Sequence, residues 1–177
     1  RVHIATTRAV LALAGASGVL PVPRPPSPPG AHLPRPPGCP LLFVPPGSGA
    51  AGESIRPQSA FASLSGLYPV AVVYPDGSTG LFGIGSDWNA GECCGAASRQ
   101  NVDDVGFIRA VIAETKRHLP IDPQRVYVAG FSDGGRMAYH FACAASHEVT
   151  AMGVVSGSLV DARCKPARPV PVAIIPG

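Results

Sequence analysis

Charge is scarce in this chain. Asp, Glu, Lys and Arg make up 14% of its 177 residues, and the net charge is only +3. The basic residues are scattered, with no stripe and no interleaved aromatics, so a nucleic-acid surface is excluded. Long apolar runs are also lacking. Ala9 to Ala14 is far too short to span a bilayer. Aromatics amount to 6%, with Trp88 the single tryptophan. No Cys-x-x-Cys pair with a nearby histidine is present, so no metal and no cofactor is expected.

Gly and Pro are plentiful instead, at 21 each, and 46% of the residues are hydrophobic. A chain of this length can bury one sizeable core. Residues 1–20 combine a basic start (Arg1, Arg8) with a short apolar run, as a secretory signal does. Residues 21–40 hold ten prolines, which marks a linker or tail rather than core structure. Five cysteines are many for a reducing compartment, so a secreted, extracellular protein is expected. Cys39 lies in the Pro-rich segment; Cys93, Cys94, Cys143 and Cys164 lie in the folded part. Four cysteines allow three pairings. The adjacent Cys93 and Cys94 are expected to bond outward, to Cys143 and Cys164, rather than to each other.

The folded pattern runs from residue 41 to 177. Apolar runs at 41–44, 70–74, 126–129, 150–155 and 169–175 read as buried strands bounded by Gly and Pro. A short helix is expected at 58–66, and a longer one capped by Asn101. The second carries Asp103 and Asp104 in its first turn and Lys116, Arg117 and His118 in its last. Non-alternating strands separated by helices predict a mostly parallel sheet with helices on both faces. Residues 77–100 read as a long loop, of the kind that is functional or stapled.

The chemistry centres on Gly130-Phe131-Ser132-Asp133-Gly134. A strand precedes it and a helical pattern follows, with Met137, Phe141 and Ala145 on one face. Strand, Gly-x-Ser-x-Gly, helix is a nucleophile elbow. Small residues flank the serine because a sharp reversal leaves no room for larger ones. Ser132 is the candidate nucleophile, and the Asp133 backbone N–H a candidate oxyanion donor.

A second glycine turn spans Gly47 to Ser54. It fits G-x-G-x-x-G after a strand, with Asp76 ending the next strand, as a dinucleotide site would. A phosphate loop is rejected, because Glu53 stands where lysine is required. The turn also fits an oxyanion loop whose Ser48 backbone N–H faces Ser132.

Other candidates have plain alternatives. Asp103 and Asp104 read as helix N-terminal charge rather than paired catalytic acids. Trp88 is a candidate substrate-stacking residue or the plug of a stapled loop. The histidines are poorly placed for a general base. His3 and His32 fall in the N-terminal tail, and His118 ends a helix. At ~1.5 Å per helical residue, His140 and His147 lie roughly 12 and 22 Å along the axis from Ser132.

With Ser132 placed, several stretches form a set: 87–95 (DWNAGECCG), 102–108 (VDDVGFI), 125–132 (RVYVAGFS), 137–139 (MAY) and 164–172 (CKPARPVPV). This set resembles the secreted polyhydroxybutyrate depolymerase and feruloyl esterase family of α/β-hydrolases, over about residues 41–177. The resemblance implies a carboxylic ester hydrolase acting through an acyl-enzyme on Ser132. Where the family carries His-Gly, this chain has Pro46-Gly47. In the family a catalytic aspartate and a later histidine follow the glycine equivalent to Gly177. The resemblance therefore implies a partial α/β-hydrolase domain of about five strands, truncated at both ends and catalytically incomplete. Asp161 is a candidate substitute acid. The expected partner is an ester: a polyester, a feruloylated polysaccharide or a short acyl ester. Oligomeric state is not legible. Two other classes stay open: a non-catalytic polymer- or ligand-binding module using Trp88, and a dinucleotide-binding domain.

Overall fold

A computed structural model describes residues 38–64, 68–79 and 86–177. The expected signal-like segment, and the Pro-rich tract up to residue 37, lie outside the described residues.

Strands β1 (Cys39–Phe43), β2 (Ala71–Val73), β5 (Ile121–Phe131), β6 (Ala151–Val155) and β7 (Val172–Ile175) form a five-stranded sheet in the order β2-β1-β5-β6-β7. All four pairings are parallel. The expected strands are thus present, and β1 starts earlier than expected: Cys39 and Pro40 belong to it rather than to the linker.

Alternation along each strand sorts the core into two faces. Leu41, Phe43, Ala71, Val73, Val126 and Val128 point to one side. There they meet Ile108, Val111 and Ile112 of α4 (Asp104–His118), and Met137, Ala138 and Phe141 of α5 (Asp133–Ala144). Val44, Val72 and Tyr74 point to the other side and meet Ile55 of α1 (Gly52–Ser59). Helices therefore cover both faces. Leu41, Phe43, Ile108, Met137 and Phe141 are wholly buried, each contributing about 1.5–3 kcal/mol of apolar burial.

Two helical expectations need correction. The first helical segment begins at Gly52 rather than 58, and Pro57 lies inside it. Its start is held by Asp76, whose Oδ1 accepts the Gly52 N–H at 2.7 Å, and this anchor outweighs the proline. A four-residue helix, α2 (Phe61–Leu64), follows. The cap of α4 is Asp103, not Asn101: Asp103 Oδ1 accepts the Gly106 N–H at 2.8 Å. The long loop also contains structure. β3 (Ser78–Thr79) and β4 (Ser86–Asp87) pair antiparallel, and α3 spans Gly95–Arg99. Among the described residues no helix is long and apolar enough to cross a membrane.

Candidate active site

β1 and β5 are neighbours, and the chain leaves β1 in one direction and β5 in the other. Ligands in open parallel sheets bind at such a switch point, outside the strands' C-terminal ends. Both glycine turns lie there.

Ser132 sits between β5 and α5 with φ 54° and ψ −116°. A left-handed backbone at a non-glycine residue is costly and persists only where its surroundings impose it. The neighbours explain why. A Cβ on Gly130 would run into the Gly134 carbonyl, and one on Gly134 into the Pro45 carbonyl oxygen. The Ser132 N–H donates to Val155 O at 2.9 Å, locking the turn to β6. Its side chain makes no capping hydrogen bond to α5. Asp133 is the first residue of α5, and its N–H is one of the donors a helix start leaves unpaired.

The turn after β1 faces the serine directly. A Cβ on Gly47 would lie 3.3 Å from Ser132 Cβ and 3.3 Å from the Phe131 ring. A side chain here would crowd both, so the missing Cβ suits the close approach. The Gly49 and Ala50 N–H groups are engaged by Ser86 O at 2.7 Å and Gly47 O at 3.1 Å. Ser48 is exposed at the tip, and among the described residues no acceptor takes its N–H. Ser48 follows Gly47, which packs against Ser132, and Asp133 follows the serine itself. The dinucleotide interpretation fails here: Asp76 is bound to the Gly52 N–H and fills the helix start that a phosphate would need.

Trp88 is wholly buried, which overturns its candidacy as a substrate-stacking residue. It is a plug. Its indole N–H donates to Pro46 O at 3.0 Å, and its backbone N–H to Asp133 Oδ2 at 3.0 Å. Burial pushes the Asp133 carboxyl up, opposed by the Trp88 N–H and the Ser48 hydroxyl. Asp104 is also a brace, accepting the Asn89 N–H at 2.6 Å. Burial raises its pKa to about 6. Asp103 caps α4 as the helix-charge interpretation expects, whereas Asp104 is a buried brace rather than a helix charge.

The cysteines form two close pairs, Cys93 with Cys94 and Cys143 with Cys164, the latter with sulfurs 2.14 Å apart. The expected outward bonding of Cys93 and Cys94 is not observed. Arg136 Nη1 lies 3.3 Å from Cys94 Sγ, which places the adjacent pair at the first turn of α5. Cys143 is two turns further along, roughly 10 Å away. Donor atoms of Cys93, Cys94 and Asp133 lie within 4.8 Å of one another, but the Arg136 guanidinium puts positive charge where a cation would have to sit. Sequence reading missed Arg136; its position one helical turn after Ser132 was the available signal.

Asp161 is not brought to Ser132. Its Oδ2 lies 3.3 Å from His140 Nδ1, at the part of α5 roughly 12 Å from the elbow. His118 and His147 are exposed, and among the described residues no histidine is hydrogen-bonded to Ser132. A cavity of about 270 Å³ is walled by Asn89, Asn101, Asp103, Asp104 and His140, with Val102 and Val105, and does not include the elbow.

A parallel sheet with a strained serine between a central strand and its helix defines an α/β-hydrolase fold of the serine-nucleophile type. The chain belongs to the Esterase PHB depolymerase family, whose model matches residues 26–167. It is 37% identical over 131 residues to feruloyl esterase B of Piromyces equi, covering 71% of this chain and 23% of the relative. It is 29% identical over 141 residues to a bifunctional acetylxylan esterase/xylanase of Neocallimastix patriciarum, covering 80% of this chain and 19% of the relative. The chain thus spans under a quarter of the length of either. Among solved structures, esterase PE8 superposes with a TM-score of 0.58 at 19% identity, covering 78% of this chain and 68% of that one. The acetyl xylan esterase from Aspergillus awamori gives 0.52 at 21% identity, covering 68% and 42%. At such identities the structures show the shared fold.

Proposed function

We propose that this chain carries the nucleophile and oxyanion hole of a carboxylic ester hydrolase. The strained backbone of Ser132, seated against Gly47, carries the reading. Ser132 Oγ adds to the ester carbonyl carbon, and the carbonyl oxygen becomes an oxyanion held by the Ser48 and Asp133 N–H groups. Collapse expels the alcohol, which takes up a proton, and leaves an acyl-Ser132. Water then adds to the acyl carbon and releases the acid. The proton leaving Oγ passes to a general base. Among the described residues no histidine is placed to act as that base.

Phe131 is half exposed beside the serine, offering an apolar wall to an acyl group. That suits the feruloyl and acetylxylan esters named for the relatives, and a polyester equally. The paired cysteines favour an oxidising, extracellular setting. Trp88 is buried, so it cannot be the contact surface of a non-catalytic polymer-binding module.

Hydrolysis of short-chain p-nitrophenyl esters by the wild type and by Ser132→Ala tests the reading. Turnover that disappears with Ser132 supports it. Turnover indifferent to Ser132→Ala overturns it.

A further inference from the structure

Both oxyanion donors proposed above hang on one residue. Pro46, whose carbonyl receives the Trp88 indole N–H at 3.0 Å, stands two residues before Ser48. Asp133, whose Oδ2 receives the Trp88 backbone N–H at 3.0 Å, supplies the other donor. The Trp88 carbonyl in turn accepts the Cys94 N–H at 3.0 Å, so Trp88 is held from behind by the cysteine-paired loop. Its ring is sealed, lying 6.3 Å from the Phe107 ring and closely approached at Gly77. A rigid indole with two side-chain torsions reaches across the site at little entropic cost. No other single residue in the described structure is hydrogen-bonded to both Pro46 and Asp133.

We propose that Trp88 is a positioning residue that sets the spacing of the Ser48 and Asp133 donors. This rests on the ester-hydrolase reading, because the spacing matters only if an oxyanion forms between them. Oxyanion donors work within a few tenths of an ångström of their productive position. The Trp88 ring fixes the Pro46 side of that gap, and its backbone fixes the Asp133 side. The indole N–H can be removed without emptying the core.

The experiment replaces Trp88 with benzothienylalanine, an isostere that has sulfur in place of the indole N–H, and separately with 7-azatryptophan, which keeps the N–H. Trp88→Phe is a third variant, and thermal melts report folding. Two readouts are taken. Amide hydrogen exchange is followed in peptides covering residues 46–50 and 132–135, with the α4 peptide as reference. Where the chain turns over ester through Ser132, kcat and KM are measured as well. Benzothienylalanine is expected to speed exchange at residues 46–50 by about tenfold, leave α4 unchanged, and lower kcat about ten- to thirtyfold with KM within about twofold. 7-Azatryptophan is expected to behave as wild type. Exchange at 46–50 that matches wild type in the benzothienylalanine protein overturns the inference, whether or not the chain is active. Faster exchange with unchanged kcat overturns it too. A wild type without Ser132-dependent turnover is what a chain with no base placed at the serine gives, and exchange at residues 46–50 then decides by itself whether Trp88 positions the two loops.

Discussion

His140 Nδ1 lies 3.3 Å from Asp161 Oδ2, and the pair has the chemistry of a proton relay in the wrong place. Gly91, with φ 90°, presses on it so closely that a Cβ there would lie 3.0 Å from each of these two atoms. The pair therefore ties α5, the 88–94 loop and the segment after β6 together. The backbone N–H of Arg163 pulls the Asp161 carboxyl down, opposed by burial, with His140 and Arg163 charge assisting. Asp161→Asn is expected to change Ser132-dependent kcat by less than about threefold, because the pair sits roughly 12 Å from the nucleophile. Its effect should appear in the melting temperature instead. A loss of kcat of about a hundredfold or more would mean that Asp161 serves the serine.

Asp104 gives the protein a pH dependence of unusual sign. Its carboxyl keeps its proton up to about pH 6 in the folded state, against 3.8 for an unperturbed one. Folding therefore takes up a proton between those values, and stability from this group rises as pH falls from about 6 towards 4. Above pH 6 the ionised carboxylate is a cost of at most about 3 kcal/mol. Asp122 and Asp161 work the other way, because their lowered pKa values make their contributions fade as acid protonates them. Asp104→Asn preserves an acceptor for the Asn89 N–H. Urea melts at pH 4.5 and 7.5 should show the variant gaining stability relative to wild type at the higher pH.

Cys143 and Cys164 close a loop of sequence separation 21. A bond across such a loop stabilises by about 3 kcal/mol in the chain-entropy estimate. The double variant Cys143→Ala with Cys164→Ala should lose that much in urea unfolding. A reductant should then have far less further effect at this end of α5.

Gly134 has little room for change. A Cβ there meets the carbonyl oxygens of both Pro45 and Pro46. Because the obstacles are backbone, no side chain can swing aside. Gly134→Ala is expected to cost about 3 kcal/mol or more and to separate the elbow from the turn after β1. Circular dichroism melts and Ser132-dependent turnover should both decline.

The five sheet strands and the elbow were legible because their signals are local. Each strand contains a short apolar run stopped by Pro or Gly, and Gly130 and Gly134 flank the serine at fixed spacing. What sequence concealed depends on contacts between distant segments. The first helix is expected only from residue 58, and the contact of Asp76 to Gly52, 24 residues apart, is what starts it earlier. Trp88 could stack on substrate or plug a loop, and only the Pro46 carbonyl and the Asp133 carboxylate decide. Cysteine pairing had the same character, since it turns on which face of α5 each sulfur reaches.

Among the described strands β7 is the last in the sheet order, and Val172, Ala173, Ile174 and Ile175 are all exposed. No charge interrupts them, and an uncharged β-branched edge is a template for adding further strands. Pro171 and Pro176 bracket the run, and neither can donate a ladder hydrogen bond. An incoming strand therefore finds only a few backbone partners before it meets a proline on either side. Pairing by a further strand, whether from this chain or another, is thus confined to a four-residue window between two prolines.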